Sequence, residues 1–523
     1  MSKPINSFFD EGTSGYTLWR KPTGTVAISF ADIIFQSPLF KISKATKESK
    51  ERYFVLTREK LFYLKSETQP KILGVMDTEW VRCDYITSRA DRAGEPNYCL
   101  RFARNMRYTD LWTTDETHLR DWKRHLNRVF VQCDFHTKFN TIKMIGKGSF
   151  ARVYLVENKE TKERMAVKAF SKEYLLSQPK GKDSLVNEIE IMQRLKHPYI
   201  MCLEEVHESK NSVYLVLELL EGGELLNYIS SKESLTFRDY WKVMRCIMEA
   251  VAYMSDKRVM HRDLKPDNMI LKEKNKLESC TLKLADFGLA TLCDVPEYLF
   301  KRCGTPGFVA PEVINAPSNE NIHYEPKCDV FSAGVIFYIL LTERSPFDGK
   351  SFKEILQKNK QCKVDFKHPR LRKHKTTLDL LQRMLEVDPE KRISARDALS
   401  HKFFTEFDDA GMTVELENAG EPHFKEYNEH FKNAMVRDKL DETNSLVIRD
   451  VIITGKTNTV MDSGHSNGMI SSFKSMSSPR KAESSVKRES ILKFVLMQNS
   501  GTVNTGEIYD VGFVHETFES DAE

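Results

Sequence analysis

Between residues 34 and 130 the chain alternates strand-like apolar runs with polar turns. Leu39-Phe40-Lys41 opens one run, Arg52-Tyr53-Phe54-Val55-Leu56 makes the next, and Leu61-Phe62-Tyr63-Leu64 follows after a short turn. The period then changes. In ETHLRDWKRHLNRVF the residues Leu119, Trp122, Leu126 and Val129 share one helical face, which predicts a helix packed on the preceding strands. Residues 139–404 begin with strand-like runs and become mostly helical, whereas residues 405–523 are polar, Ser-rich from Ser463 to Ser490 and nearly aperiodic. Residues 1–33 are mixed and predict no element. No self-similarity appears at solenoid periods. The pattern predicts an α+β multidomain chain: an N-terminal extension (1–33), a strand-rich domain that finishes on a helix (34–130), a larger domain (139–404) and a low-order, largely disordered regulatory tail (405–523).

Composition narrows the class. The chain has 523 residues, too many for one core. Hydrophobic residues at 40% and charged residues at 29% are ordinary for a globular protein, and a net charge of +4 is too small to point to nucleic acid as a partner. Residues 36–130 nevertheless carry 19 Lys and Arg against 13 Asp and Glu, a local basic excess. The ten cysteines show no CxxC pair or metal-ligand spacing, which predicts reduced thiols. The start MSKPINSFFD has no apolar signal core, and the nearly apolar run Ala333–Leu341 is about half the length needed to cross a bilayer. The expected location is cytoplasmic, with any membrane contact peripheral.

The candidate chemistry begins at Ile145-Gly146-Lys147-Gly148-Ser149-Phe150-Ala151-Arg152-Val153, between two strand-like runs. Glycine lets backbone N–H groups approach phosphate oxygens where a Cβ would collide, although such a pattern alone marks a tight turn equally well. Lys168 follows in Ala166-Val167-Lys168, on a third strand-like run. A lysine held among apolar neighbours needs a counter-ion, and Glu188 or Glu190 in SLVNEIEIMQRLKHP offers one from a helix. Then comes His261-Arg262-Asp263-Leu264-Lys265-Pro266-Asp267-Asn268, and later Asp286-Phe287-Gly288. Asp263 is placed to accept a proton from an attacking hydroxyl, and Asn268 with Asp286 to face Mg2+. Together in this order they are far more specific than any one of them.

Along 139–404 these motifs, with Ala310-Pro311-Glu312, resemble the protein kinase family. The resemblance implies a two-lobed fold with ATP and Mg2+ in the cleft, transfer of the γ-phosphate to protein substrates, and catalytic roles for Asp263, Lys265, Lys168 and Glu188. It implies nucleotide contacts at Ile145, Gly146, Lys147, Gly148, Ser149, Val153, Ala166, Lys168, Glu218, Leu220, Glu224 and Ile270, and metal ligation by Asn268 and Asp286. It also implies that Asp329 orients the catalytic loop and that Arg392 pairs with Glu312. Lys265 and Cys303-Gly304-Thr305-Pro306-Gly307-Phe308 resemble the Ser/Thr type, the calmodulin-dependent branch in particular, and Glu224 in EGGEL matches a position that often receives a substrate arginine. The expected activity is therefore a basic-directed Ser/Thr kinase. The competing classes are a pseudokinase-like scaffold, disfavoured because Lys168, Asp263, Asn268 and Asp286 are all present, and a membrane adaptor with catalysis secondary.

Three positions depart from the family pattern: Ala151 replaces the third loop glycine, Phe331 stands where Trp is usual, and Lys301 stands where related kinases carry a phosphorylatable Thr. Beside Lys301, Arg262 would meet a second cation instead of a phosphate. Activation is thus expected to be independent of a phosphate there, with Thr291 and Tyr298 as the remaining candidates in that segment and Thr305 serving catalytic geometry.

Strands closing into a small barrel plugged by a helix with one Trp resemble the pleckstrin-homology domain over residues 34–130. Lys41 and Lys50-Glu51-Arg52-Tyr53-Phe54-Val55 are similar to that family's phosphoinositide signature, with Lys44 and Lys47 adding to the field. The implied partner is a phosphoinositide membrane surface bound at Lys41, Lys50 and Arg52; the alternative for this module is autoinhibition or partner binding. The linker from Gln132 to Phe139 is short, so the module must lie near the small lobe. In the tail, Ser478-Pro479, Ser484 and Ser490 are candidate phosphosites, and Val486–Leu496 is basic and apolar as a calmodulin-binding or autoinhibitory helix would be, the plainer reading being a disordered segment. No EF-hand loop pattern occurs in the tail, so direct Ca2+ sensing is not expected.

Overall fold

A computed structural model describes residues 7–10, 17–23, 28–42, 48–87, 98–148, 150–230, 237–273, 282–316, 323–372 and 374–406. Lys44, Lys47 and Ser149 lie outside the described residues, as do Ser478, Ser484, Ser490 and Val486–Leu496.

The N-terminal strands are β1 (Ile33–Ile42), β2 (Ser49–Thr57), β3 (Lys60–Leu64), β4 (Ile72–Asp77), β5 (Arg82–Thr87), β6 (Tyr98–Arg104) and β7 (Arg107–Thr113). They run in the order β4-β3-β2-β1-β7-β6-β5, so β1 pairs on one side with its hairpin partner and on the other with the last strand. The helix Glu116–Leu126 follows, N-capped by Asp115, which accepts from the Thr117 N–H at 2.8 Å. Its apolar stripe is the expected one. Trp122 and Leu126 are buried against Leu39, Phe54, Leu56, Leu61 and Leu100, and Leu119 and Val129 pack at the margin. The buried Trp122 indole keeps its hydrogen bond, donating to Ser37 Oγ at 2.8 Å. Leu18 joins this core, and Arg20 exchanges two backbone hydrogen bonds with Val75, both 2.9 Å. Part of the segment that predicted no element thus belongs to this module.

The second group of strands is β9 (Phe139–Lys147), β10 (Arg152–Asn158), β11 (Arg164–Ser171), β12 (Leu203–Glu208) and β13 (Ser212–Leu217). Between the groups lies a two-residue strand, β8 (Val131–Gln132). It pairs parallel with β5 through Arg82↔Val131 and Cys83↔Gln132, and parallel with β12 through Val206↔Val131 and His207↔Gln132. The result is one sheet of thirteen strands. An unpaired sheet edge leaves N–H and C=O groups unsatisfied, and β8 satisfies the facing edges of both halves. Gln132 is fully buried there, donating from Nε2 to Phe130 O at 3.0 Å and accepting from the Tyr85 hydroxyl at 2.8 Å. The short linker is therefore more than a spacer; it is the shared strand.

Below β13 the chain is mainly helical. The helices Phe237–Asp256 and Lys327–Thr342 form the centre of this lobe. Lys327–Thr342 contains the run Ala333–Leu341 and is buried on nearly every side, as a core helix must be to carry so little polarity. No helix among the described residues is long and apolar enough to cross a membrane. Among the described residues Cys83, Cys99, Cys133, Cys202, Cys293, Cys328 and Cys362 form no disulfide.

Candidate active site

The helix Gly181–Arg194 packs against the small-lobe sheet and brings Glu188 to Lys168 of β11, with the ammonium donating to Glu188 Oε1 at 2.7 Å. Glu190, the competing choice, faces Glu79 of the N-terminal module; burial and that neighbouring charge push its carboxyl above the usual range. Lys168 also donates to Asp286 Oδ1 at 3.1 Å. Burial alone would lower its affinity for the proton, but the Asp286 and Glu188 carboxylates outweigh this and hold Lys168 charged. In return Lys168, and then Lys265, keep Asp286 ionised well below the usual carboxylate range against the opposing effect of burial.

The catalytic loop is fixed from beneath. Asp329, buried in Lys327–Thr342, accepts from the His261 N–H at 2.7 Å and the Arg262 N–H at 2.9 Å. Asp263 then receives three side chains. Thr305 Oγ1 donates to Oδ1 at 2.6 Å, Lys265 Nζ to Oδ2 at 2.8 Å, and Asn268 Nδ2 to Oδ2 at 3.2 Å. Lys265 also donates to Thr305 Oγ1 at 2.9 Å. The Asn268 amide nitrogen is further committed to Asp263 O at 2.8 Å, which leaves its oxygen as the acceptor end. The Ala285 N–H donates to Asn268 O at 2.8 Å, placing Asp286 next to Asn268. An ionised carboxylate beside an amide oxygen is a hard-oxygen set, and it fits Mg2+.

A cavity of about 680 Å3 opens above these groups. It is lined by Ile145, Gly146, Gly148, Val153, Ala166 and Lys168 from the small lobe, and by Glu218, Leu220, Glu224, Ile270, Asp263, Lys265 and Asp286 from below. The Lys147 side chain is exposed and is not among the groups that line the cavity, alternation along β9 turning it outward. A Cβ built on Gly146 or Gly148 would come no closer than 3.4 Å to any neighbour, so internal packing does not require glycine at either place. The Glu218 side chain is occupied, accepting from Lys283 Nζ and the Cys202 N–H, both at 2.7 Å, and its own N–H donates to Cys202 O at 3.2 Å.

Protein groups contact the activation segment through Arg262. Arg262 is buried; it donates from Nε to Leu289 O at 2.8 Å and from Nη1 to Phe300 O at 2.7 Å and the Tyr324 hydroxyl at 2.9 Å. Tyr298 lies over the guanidinium at 5.4 Å and donates to Tyr324 O at 3.2 Å. Lys301 turns outward to Glu297 at 3.0 Å. The candidate phosphosites Thr291 and Tyr298 are both buried. Gly304, at φ 111°, lies so close to the catalytic loop that a Cβ would sit 2.5 Å from Arg262 O.

Sequence reasoning missed several contacts at this site. Lys180, at the start of Gly181–Arg194, donates to Leu299 O at 2.8 Å, and Asn187 donates to Ala290 O at 2.8 Å. Both tie the Glu188 helix to the activation segment. Neither belongs to a fixed-spacing motif, so only the fold reveals them.

In the N-terminal module Lys41 and Lys50 are direct partners across β1 and β2, and Arg52 is two residues further along the same face. Lys41 Nζ sits over the Tyr63 ring at 3.9 Å and the Trp19 ring at 4.6 Å, and Lys50 pairs with Glu48 at 3.1 Å. Burial, and then the Arg52 charge, push the Lys41 ammonium down to about 8.

These arrangements have counterparts among known proteins. The model for the protein kinase domain matches residues 139–404. Calcium-dependent protein kinase 4 of Plasmodium falciparum is 37% identical over 270 residues, covering 51% of this chain and 50% of its own. Calcium-dependent protein kinase 7 of Arabidopsis thaliana is 37% identical over 270 residues, 51% of this chain and 49% of its own. Myosin light chain kinase A of Dictyostelium discoideum is 38% identical over 262 residues, 49% of this chain and 84% of its own. The chain therefore spans about half the length of the two calcium-dependent kinases. With the Lys168–Glu188 pair, the Asp263 loop and Asp286 assembled over the matched half, the chain belongs to the protein kinase family.

Proposed function

We propose that the chain transfers the γ-phosphate of ATP to Ser or Thr hydroxyls that follow basic residues, and that its N-terminal module, a pleckstrin-homology-like barrel, brings it to phosphoinositide membranes. The observation that carries the catalytic reading is the triangle of Asp263, Lys265 and Thr305, closed by bonds of 2.6, 2.8 and 2.9 Å.

Each residue has a chemical task in this reading. Asp263 accepts the proton of the attacking hydroxyl. Lys265 lies against the same carboxylate and offers positive charge where the transferred group carries negative charge. Thr305 and Asn268 hold the Asp263 carboxylate in one orientation, so little reorganisation is needed at the moment of attack. Lys168, fixed by Glu188, holds the α- and β-phosphates. Mg2+, when held by Asp286 and Asn268, neutralises phosphate oxygens and helps keep donor and acceptor in line. Glu224, at the edge of the cavity, supplies the negative charge for an upstream arginine.

A positional-scanning peptide library tests specificity. The expected result is phosphorylation of Ser and Thr but not Tyr, with arginine selected at the third position upstream and that selection lost in Glu224→Ala. Equal use of all residues at that position would contradict the basic-directed reading. For the module, Lys41, Lys50 and Arg52 on one face of the β1–β2 pair favour a membrane role. Liposome sedimentation with and without phosphoinositides, against a Lys50→Ala/Arg52→Ala control, tests it; equal sedimentation of wild type and control would overturn it.

A further inference from the structure

Residues 7–10, Ser-Phe-Phe-Asp, stand far in sequence from the catalytic domain, yet their aromatic rings are buried in its core and not in the N-terminal module's core. Phe8 is 8% exposed and Phe9 2%, and both belong to the apolar cluster that contains Leu185, Ile189 and Met192 of the Glu188 helix. Phe9 stacks on Trp80 at 4.5 Å and 13°, and Trp80, from the turn between β4 and β5, packs against that same cluster. The segment also contacts the helix directly. Lys182 Nζ lies 5.6 Å above the Phe8 ring and donates to Asp10 O at 3.4 Å. Lys182 and Glu188 share the helix Gly181–Arg194, less than two turns apart.

The polar half of the contact is equally defined. Glu208, at the end of β12, is 3% exposed. It accepts from Ser7 Oγ at 2.6 Å, from the Phe8 N–H at 2.6 Å and from Lys172 Nζ at 2.7 Å, with Arg82 Nε at 3.8 Å. One buried carboxylate thus joins the N-terminal segment, the N-terminal module and the small lobe. Asp10 completes the turn, accepting from the Asn105 N–H at 2.7 Å and the Ser7 N–H at 2.9 Å. A segment that only covered apolar surface would not need a buried carboxylate made to receive it.

We propose that Ser7–Asp10 is an activating clamp, docked in cis in the groove between β12 and the Gly181–Arg194 helix, that holds this helix where Glu188 reaches Lys168. The inference rests on the kinase reading above for its effect on rate, but the docking itself does not. Phe8, Phe9 and Ser7 are positioning residues: none lines the catalytic cavity, and they act through the helix. Because Lys180 and Asn187 connect the same helix to Leu299 and Ala290, undocking loosens the activation segment as well. The groove is filled by an N–H and hydroxyl donor followed by two aromatic rings.

The full-length protein tests this in three arms: wild type, Phe8→Ala/Phe9→Ala, and Ser7→Glu, which sets a second negative charge against Glu208. The expected result is faster amide hydrogen exchange in residues 181–194 of both variants and kcat about ten-fold lower. The KM for the peptide substrate is expected to hold, as is the thermal midpoint of the helical lobe. A synthetic peptide of residues 4–12 added in trans should restore both exchange protection and rate to the double alanine variant. Unchanged exchange in 181–194, a rate that rises on undocking, or failure of the peptide to restore protection would each overturn the clamp. A wild type without kinase activity would count against the kinase reading instead, and the exchange arm would still decide the clamp.

Discussion

The Arg262 guanidinium donates to the main-chain carbonyl of Phe300 at 2.7 Å, inside a pocket closed by Tyr298 and Tyr324. That carbonyl, with Leu289 O and the Tyr324 hydroxyl, takes donors from Nε and Nη1, while Nη2 is buried without a partner. Position 301 is a lysine, already paired with Glu297. Exhaustive phosphatase treatment is therefore expected to leave most of the activity in place. Complete loss of activity, mapped by mass spectrometry to residues 289–305, would contradict this.

Lys168 stands between Glu188 and Asp286, and the three groups form a charge-assisted chain across the cleft. Lys168→Ala removes the largest of the charges that hold the Asp286 carboxyl below its usual range, and with it the cation that positions the phosphates. The expected effect is a fall in kcat of about a hundred-fold or more, with folding unchanged. Steady-state kinetics alongside circular dichroism check it.

Arg392 is buried and meets Glu312 through two bonds, of 2.6 and 2.9 Å, while also donating to three carbonyl oxygens. Removing the guanidinium strands a carboxylate and three acceptors. Arg392→Ala is expected to destabilise the helical lobe by about 3–5 kcal/mol, read from the shift in the urea midpoint. Arg392→Lys should recover only part of this, since an ammonium cannot fork across both carboxylate oxygens.

Much of the site was legible because kinase chemistry sits in short fixed-spacing motifs. Asp263, Lys265 and Asn268 lie within six residues on one loop, and their mutual hydrogen bonds follow from that spacing. The helix face of Leu119, Trp122, Leu126 and Val129 was legible for the same local reason. Glu188 against Glu190 was not decidable by period alone; the fold decides it by bringing Glu188, and not Glu190, to 2.7 Å from the Lys168 ammonium. The Ser7–Glu208 bond spans 201 residues and carries no spacing signal at all. Nor does a two-residue strand such as β8, which has no room for an apolar alternation and is visible only through its two partners.

Lys41 sets a pH window for the membrane reading. Burial and Arg52 lower its ammonium from 10.5 to about 8. The protonated form is the one that attracts headgroup phosphates, so affinity for phosphoinositide vesicles is expected to weaken as pH rises through about 8 and to be full below it. Lys41→Arg should keep its charge and flatten that profile. Sedimentation at pH 6.5, 8 and 9.5 measures both, and an identical slope in the variant would contradict the assignment.

The most direct test of the account is transfer of radiolabel from γ-labelled ATP to an arginine-containing Ser peptide, with Mg2+ present or chelated, by wild type and Asp286→Ala. The account predicts label on the serine hydroxyl with wild type and Mg2+, and at least about a hundred-fold less in either other condition. A folded wild type that binds nucleotide yet labels no hydroxyl acceptor, or an Asp286→Ala protein that labels as fast as wild type, would contradict it.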